Sequence, residues 1–174
     1  MFSDPDKNLA QLGLSEGMKV ADLGAGTGYY SIMAGRRVGA GGRVYAVEVQ
    51  KDLLDRLKSN AVTEKVHNIE VVWGTIDTIG GTKLRESLVD RAILANTLFQ
   101  IEQKDRDGLA LEIKRVLKAG GKLLVVDWLP GSPLSPKNCV ARIIAENLFN
   151  KSGFTLEKSF SAGDHHYGLV FTRN

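Results

Sequence analysis

Two carboxylates and three glycines near the amino end of the chain have types and spacing suited to holding a small cationic ligand. The run VADLGAGTG fills residues 20–28, so Asp22 stands two places before Gly24, with Gly26 and Gly28 following; Glu48 comes 20 residues after Gly28. Glycines at such positions let the backbone turn sharply and bring main-chain atoms against a ligand that a Cβ would hold away. A dinucleotide site asks for G-x-G-x-x-G to seat a pyrophosphate on a helix amino terminus. Here Tyr29 holds the sixth place and Gly28 falls one early. Asp22 would repel a pyrophosphate and attract an ammonium group. Glu48, closing an apolar run, is placed to accept hydrogen bonds from both hydroxyls of a ribose. The combination favours a nucleoside that carries positive charge over a nicotinamide dinucleotide.

The elements that must hold these residues are legible as an alternation of short apolar runs and longer amphipathic stretches. Strands are expected at 19–23, 43–48, 69–73, 88–94 and 122–127, with helices at 28–38, 51–61 and 104–117 between them. In the last helix Leu109, Leu111, Ile113, Val116 and Leu117 give a mostly helical apolar spacing, Glu102 or Asp105 is the expected cap, and Ala119-Gly120-Gly121 is the expected stop. This pattern predicts an α/β fold whose parallel sheet is covered by helices on both faces. After Pro130, Pro133 and Pro136 the tail reads as a loop, a helix at 138–152, and strands at 154–161 and 167–173 joined by a turn at 162–166 into an antiparallel hairpin.

With 174 residues, 43% of them hydrophobic, the chain suits a single domain at 1–174 with one sizeable core. No basic and apolar leader opens it, and no run approaches the roughly 18 apolar residues of a membrane span, so a cytoplasmic protein without integral membrane association is expected. Cys139 is the single cysteine, which leaves no disulfide, CxxC pair or zinc pattern. The net charge of +3 is scattered; its densest groups, Arg36-Arg37 and Lys114, Arg115 and Lys118, read as solvated faces and not as a nucleic-acid stripe.

VADLGAGTGYYS resembles the first motif of the class I S-adenosylmethionine-dependent methyltransferases, and the likeness continues along nearly the whole chain. VYAVEV resembles the second motif, VVWGTIDTI the loop after the third strand, LVDRAILANTLFQI the fourth motif, and EIKRVLKAGGKLLVVDW the helix and strand after it. Within that superfamily the chain resembles the UbiE-like methyltransferase-domain proteins of bacteria, whose ends carry a strand similar to HHYGLVFTR. The resemblance implies a Rossmann-like three-layer sandwich with a seven-stranded, mostly parallel sheet of order 3-2-1-4-5-7-6 and an antiparallel last strand. It also implies S-adenosylmethionine as cofactor. Asp22, Gly24, Ala25, Gly26, Thr27, Gly28 and Tyr29 would surround its methionine portion. Glu48 would take the ribose, Val49 would lie beside the adenine, Gly74, Thr75 and Ile76 would border the adenine edge, and Asn96 with Thr97 would lie under the sulfonium. The sequence departs from the family pattern at Thr75, where many relatives have Asp, at Gln100, where a His is frequent, and at Ala119, where Pro is usual.

Methyl transfer from a sulfonium asks the protein mainly to align donor and acceptor and exclude water, with a base needed only if the acceptor loses a proton. His165, His166, Tyr167 and Asp127 are the candidates, all expected near the carboxyl edge of the sheet. The plainer readings are a polar hairpin turn for the histidines, strand packing for Tyr167 and a loop cap for Asp127. Phe2, Tyr29 and Tyr30 could shield the cofactor or simply pack. No metal site is expected, because Asp127 is the only acid suitably placed for one. The [Asp/Asn]-Pro-Pro-[Tyr/Phe] pattern is absent at residues 95–98. About 18 residues precede the first strand, so the site should be open, suiting a bulky or lipid-like methyl acceptor, or a homodimer or partner that supplies a lid. A non-catalytic S-adenosylmethionine-binding module is the alternative from another class.

Overall fold

The computed structural model describes residues 3–174. Seven strands, β1 (Lys19–Leu23), β2 (Arg43–Glu48), β3 (Ile69–Trp73), β4 (Val89–Ala95), β5 (Leu117–Trp128), β6 (Phe154–Ser161) and β7 (His166–Arg173), form one sheet in the order β3-β2-β1-β4-β5-β7-β6. Neighbours from β3 to β5 pair in parallel, and β7 runs antiparallel to both β5 and β6. This is the expected strand order, and it is a α/β sheet with helices on both faces.

The alternation of side chains along each strand decides what lies on which face. On one face Val20, Val44, Ile93, Leu124 and Val126 meet Leu9, Leu12, Tyr30, Ala34 and Val38, which belong to α1 (Pro5–Leu12) and α2 (Tyr29–Val38); Ala46 meets Leu57 of α3 (Lys51–Thr63). On the other, Ala21, Leu23, Leu123, Val125, Leu169 and Phe171 meet Leu109 and Ile113 of α4 (Arg106–Val116), and Leu148 and Phe149 of α5 (Arg142–Lys151). The central strands are buried on both sides, which is why they read as continuous apolar runs.

Several boundaries move. Helix α1 was not expected, although Asp4 caps it by accepting from the Asp6 and Lys7 amides, Pro5 opens it and left-handed Gly13 closes it. Strand β5 starts at Leu117 and not after the glycine turn: Leu117 pairs with Val89 and Lys122 with Arg91, so 118–121 bulge out, with Gly120 at φ +72°. Asp105 sits at the start of α4 without a side-chain capping bond. Helix α5 begins at Arg142, four residues after the expected start, and β7 begins at His166, which the sequence placed in the turn.

Candidate active site

A cleft of about 640 Å³ opens at the carboxyl ends of the central strands, on the side of α1 and α2, where ligands bind in open α/β sheets. Its volume lies within the roughly 300–1,000 Å³ of small-molecule sites. The glycine turn forms one wall. The Gly24 and Ala25 amides both donate to the Val47 carbonyl, and Gly24, Gly26 and Gly28 all have positive φ. A Cβ on Gly24 would stand 2.6 Å from the Thr97 side chain, so the glycine permits the close approach of the turn that follows β4. A Cβ on Gly26 would meet nothing and project into open space where this residue borders the cleft. Gly28 does not border it. Its Cβ would strike Leu57 at 2.6 Å, so the third glycine serves the packing of α2 on α3 and not the wall itself.

The two acids lie as their positions in sequence foretell, at the ends of adjacent strands. Glu48 is 7% exposed, with Oε2 accepting from the Gly26 amide at 3.0 Å and Oε1 from the Val49 and Gln50 amides at 2.9 and 3.0 Å. A carboxylate offers about four acceptor positions, so one remains on Oε2. There is room for one ribose hydroxyl, and a second would have to share or displace the Gly26 amide. Asp22 is 2% exposed and accepts from the Ser31 hydroxyl at 2.5 Å. Burial pushes its carboxyl up to about 6, against the hydrogen bonds from Ser31, and Glu48 adds repulsion. Such a group gains from a cationic neighbour.

Ala25, Thr27, Tyr29, Val49, Gly74, Thr75, Ile76, Asn96 and Thr97 also border the cleft, Tyr29 and Val49 being largely exposed at its rim. Asn96 has φ +54°; its amide donates to the Val126 carbonyl and its own carbonyl accepts from Gln100 Nε2, yet its buried Oδ1 has no partner. Tyr30 borders the cleft too, its hydroxyl accepting from Asn8, whereas Phe2 lies outside the described residues.

The candidates for a base are separated by the two-residue period of β5 and β7. Tyr167 pairs with Asp127, and both turn to the α4 and α5 face, away from the cleft. Tyr167 is 2% exposed and donates to the Val140 carbonyl; burial first, then Asp127, raises its phenol. Asp127 is fully buried, accepts from the Phe99 and Trp128 amides, and is pushed up to about 6 by burial. These two do not reach the cleft. Trp128 pairs with His166, and both border it, with ring centroids 4.1 Å apart. His166 is no exposed turn residue: it is 2% exposed and neither ring nitrogen has a partner. Leaving such a group dry costs about 1–3 kcal/mol, which a polar ligand can recover. His165 sits outside, its Nδ1 bonded to Ser132.

Sequence reasoning missed Asp77, which borders the cleft two places after Thr75. The available signal was that it is the only acid between Gly74 and Thr82. It also missed the device that shapes this loop. Glu112 of α4 is fully buried and accepts from the Gly80 and Thr82 amides and the Thr82 hydroxyl, while Arg115 donates to both its oxygens. The basic groups are largely paired: Arg36 with Glu64, Arg37 with Asp6, Arg115 with Glu112 and Lys118 with Asp90. Among the described residues no cluster of three or more His, Cys, Asp or Glu could hold a metal, and no helix is long and apolar enough to cross a membrane.

Comparison with known proteins decides the family, since a family described as "Methyltransferase domain" matches residues 14–161. The chain belongs to the methyltransferase domain family. The "Ubiquinone/menaquinone biosynthesis C-methyltransferase UbiE" of Haemophilus ducreyi is 31% identical to this methyltransferase domain, over 67% of the chain and 43% of the relative. The "Probable cobalt-precorrin-6B C(15)-methyltransferase (decarboxylating)" of Sulfurisphaera tokodaii is 29% identical, over 67% of the chain and 57% of the relative. The chain thus spans about half the length of these curated relatives. A solved structure of a SAM-dependent methyltransferase from Aquifex aeolicus superposes with a TM-score of 0.87 at 25% identity, covering 99% of this chain and 90% of that one.

Proposed function

We propose that this methyltransferase domain, acting as one domain over 1–174, binds S-adenosylmethionine in the cleft and transfers its methyl group to a small or lipid-like acceptor. Glu48 carries the reading: a carboxylate anchored by three backbone amides under a glycine turn, with one acceptor position left for a ribose hydroxyl. The rest of the site fits the same ligand. Asp22 supplies a buried negative charge for an ammonium, Gly26 leaves open space, and the Asn96 Oδ1 lacks a partner where the cofactor's reactive end would lie. Asp77 offers a carboxylate in the loop where Thr75 has none.

Bound there, S-adenosylmethionine supplies a methyl group already activated by positively charged sulfur. The chain's own task is to hold the nucleoside from the β2 side, turn the methyl toward β4 and keep water from the apolar wall of the cleft. Calorimetry with S-adenosylhomocysteine beside NAD tests the binding: micromolar affinity for the first and none for the second is expected, and NAD alone binding overturns it. Incubation with methyl-labelled cofactor and cell extract tests transfer, since a non-catalytic binding module leaves every acceptor unlabelled.

A further inference from the structure

The half of the cleft on β5 and β7 is built differently from the half that faces Glu48. Four strand-to-strand steps separate β2 from β7 in the sheet, roughly 19 Å at about 4.8 Å per step. A donor held by Glu48 and reaching toward Asn96 therefore leaves the β7 end for a second molecule. That end is walled by Pro5, Tyr30, Ile101 and Trp128, and carries one buried polar side chain without any hydrogen bond, His166. Among the described residues no Lys or Arg borders the cleft, whereas Asp22, Glu48 and Asp77 do.

We propose that the corner where His166 meets Trp128 is the acceptor subsite, that it takes an uncharged molecule with an apolar body and an O–H or N–H, and that His166 receives that proton. This rests on the methyl-transfer reading. A phosphorylated or carboxylated acceptor would find no Lys or Arg side chain along the cleft to pair with, and desolvating its charge would go uncompensated by the protein. The groups around the imidazole leave it neutral and available. Burial, then the adjacent His165, hold it below the ordinary histidine value. Asp127 on β5 faces the other way and is occupied by amides, Gly168 on β7 lies against the Phe160 ring, and from α2 the Tyr30 phenol is held protonated by burial. In the step itself, a lone pair of the acceptor atom forms the bond to the methyl carbon of the sulfonium donor. The carbon–sulfur pair stays on sulfur, which becomes a neutral thioether, and the acceptor's proton passes to a His166 ring nitrogen and then to water.

The test uses protein saturated with S-adenosylhomocysteine and three probes: 2-naphthol, 2-methoxynaphthalene and 2-naphthyl phosphate. The expected result is that 2-naphthol shifts the His166 ring resonances and binds about ten-fold more tightly than either of the others, as one recovered hydrogen bond and one avoided charge imply. His166→Ala weakens 2-naphthol about ten-fold and leaves S-adenosylhomocysteine binding unchanged. Methylation of 2-naphthol by the wild type rises with pH through the His166 titration, and His166→Asn loses that limb. Equal or tighter binding of the phosphate ester, or indifference of the wild type to the hydroxyl, overturns the proposal, even where the His166 variants fold poorly. Failure of S-adenosylhomocysteine to bind at all instead breaks the methyl-transfer reading.

Discussion

Two buried polar regions in this protein are opposites. Around Glu112 every oxygen is satisfied: two amides, one hydroxyl and the Arg115 guanidinium converge on a carboxylate with no exposure. Burial alone would raise that carboxyl, but Arg115, Thr82 and the amides hold it below its usual value. In the cleft, Asp22 is pushed up to about 6, and Asn96 Oδ1 and both His166 nitrogens have no partner. A saturated network stabilises the loop it ties, whereas unsatisfied groups around a cavity cost stability until a ligand completes them. Both regions are buried and carry carboxylates, so what distinguishes the Glu112 network from Asn96 and His166 is the completeness of its hydrogen bonding.

The comparison breaks most visibly at Glu112. Removing one partner of a buried, hydrogen-bonded pair costs about 3–5 kcal/mol, and Arg115 can turn partly to water, so Glu112→Ala should lose about 3 kcal/mol in urea unfolding. The linkage has the usual carboxylate sign: with a lowered folded-state value, Glu112 contributes above the unfolded-state value and its contribution vanishes as pH falls through the folded one.

Gly24→Ala should come next. A left-handed φ of +76° and a Cβ 2.6 Å from Thr97 cost about 2–3 kcal/mol together, and affinity for S-adenosylhomocysteine should fall at least as much.

Asp22→Asn should act in the opposite direction on stability. Because its folded-state value of about 6 exceeds the ordinary 3.8, Asp22 contributes fully below pH 3.8 and loses that contribution as pH rises through 6. The two-unit shift corresponds to about 3 kcal/mol. The Asn variant should therefore be more stable than the parent at pH 8 by about 1–2 kcal/mol, within that shift, while binding S-adenosylmethionine about ten-fold more weakly, as loss of one charge contact implies. The parent's affinity should rise between pH 5 and 7 and the variant's should not. A variant less stable than the parent at pH 8 would place Asp22 with Glu112 on the scaffold side.

The smallest effect belongs to Tyr167→Phe, which loses one bond to the Val140 carbonyl, about 1 kcal/mol of stability. Methyl transfer should be unchanged, because Tyr167 faces away from the cleft.

Much of this was legible without coordinates. VADLGAGTG and Glu48 announced a turn between a strand and a helix with acids on two neighbouring strands, since backbone freedom and apolar periodicity are local properties. Residues 5–12 were equally local, with Asp4, Pro5 and Gly13 as start and stop signals, and only the short apolar content hid that helix. The shift at β5 was not local: Leu117 is drawn into the sheet by pairing with Val89, across an excursion that reads as a simple stop.

The positions of the strands, the glycine turn and the acids at the strand ends follow from the linear pattern of residue types, because each depends on neighbours within a few positions; the order of the strands, which brings β1 against β4, was implied by the family resemblance and not by that pattern. Which of His166, Tyr167 and Asp127 reaches the cleft followed only from the pairing of β5 with β7. One step in register exchanges the faces of a strand, and that step is set by contacts between segments some forty residues apart.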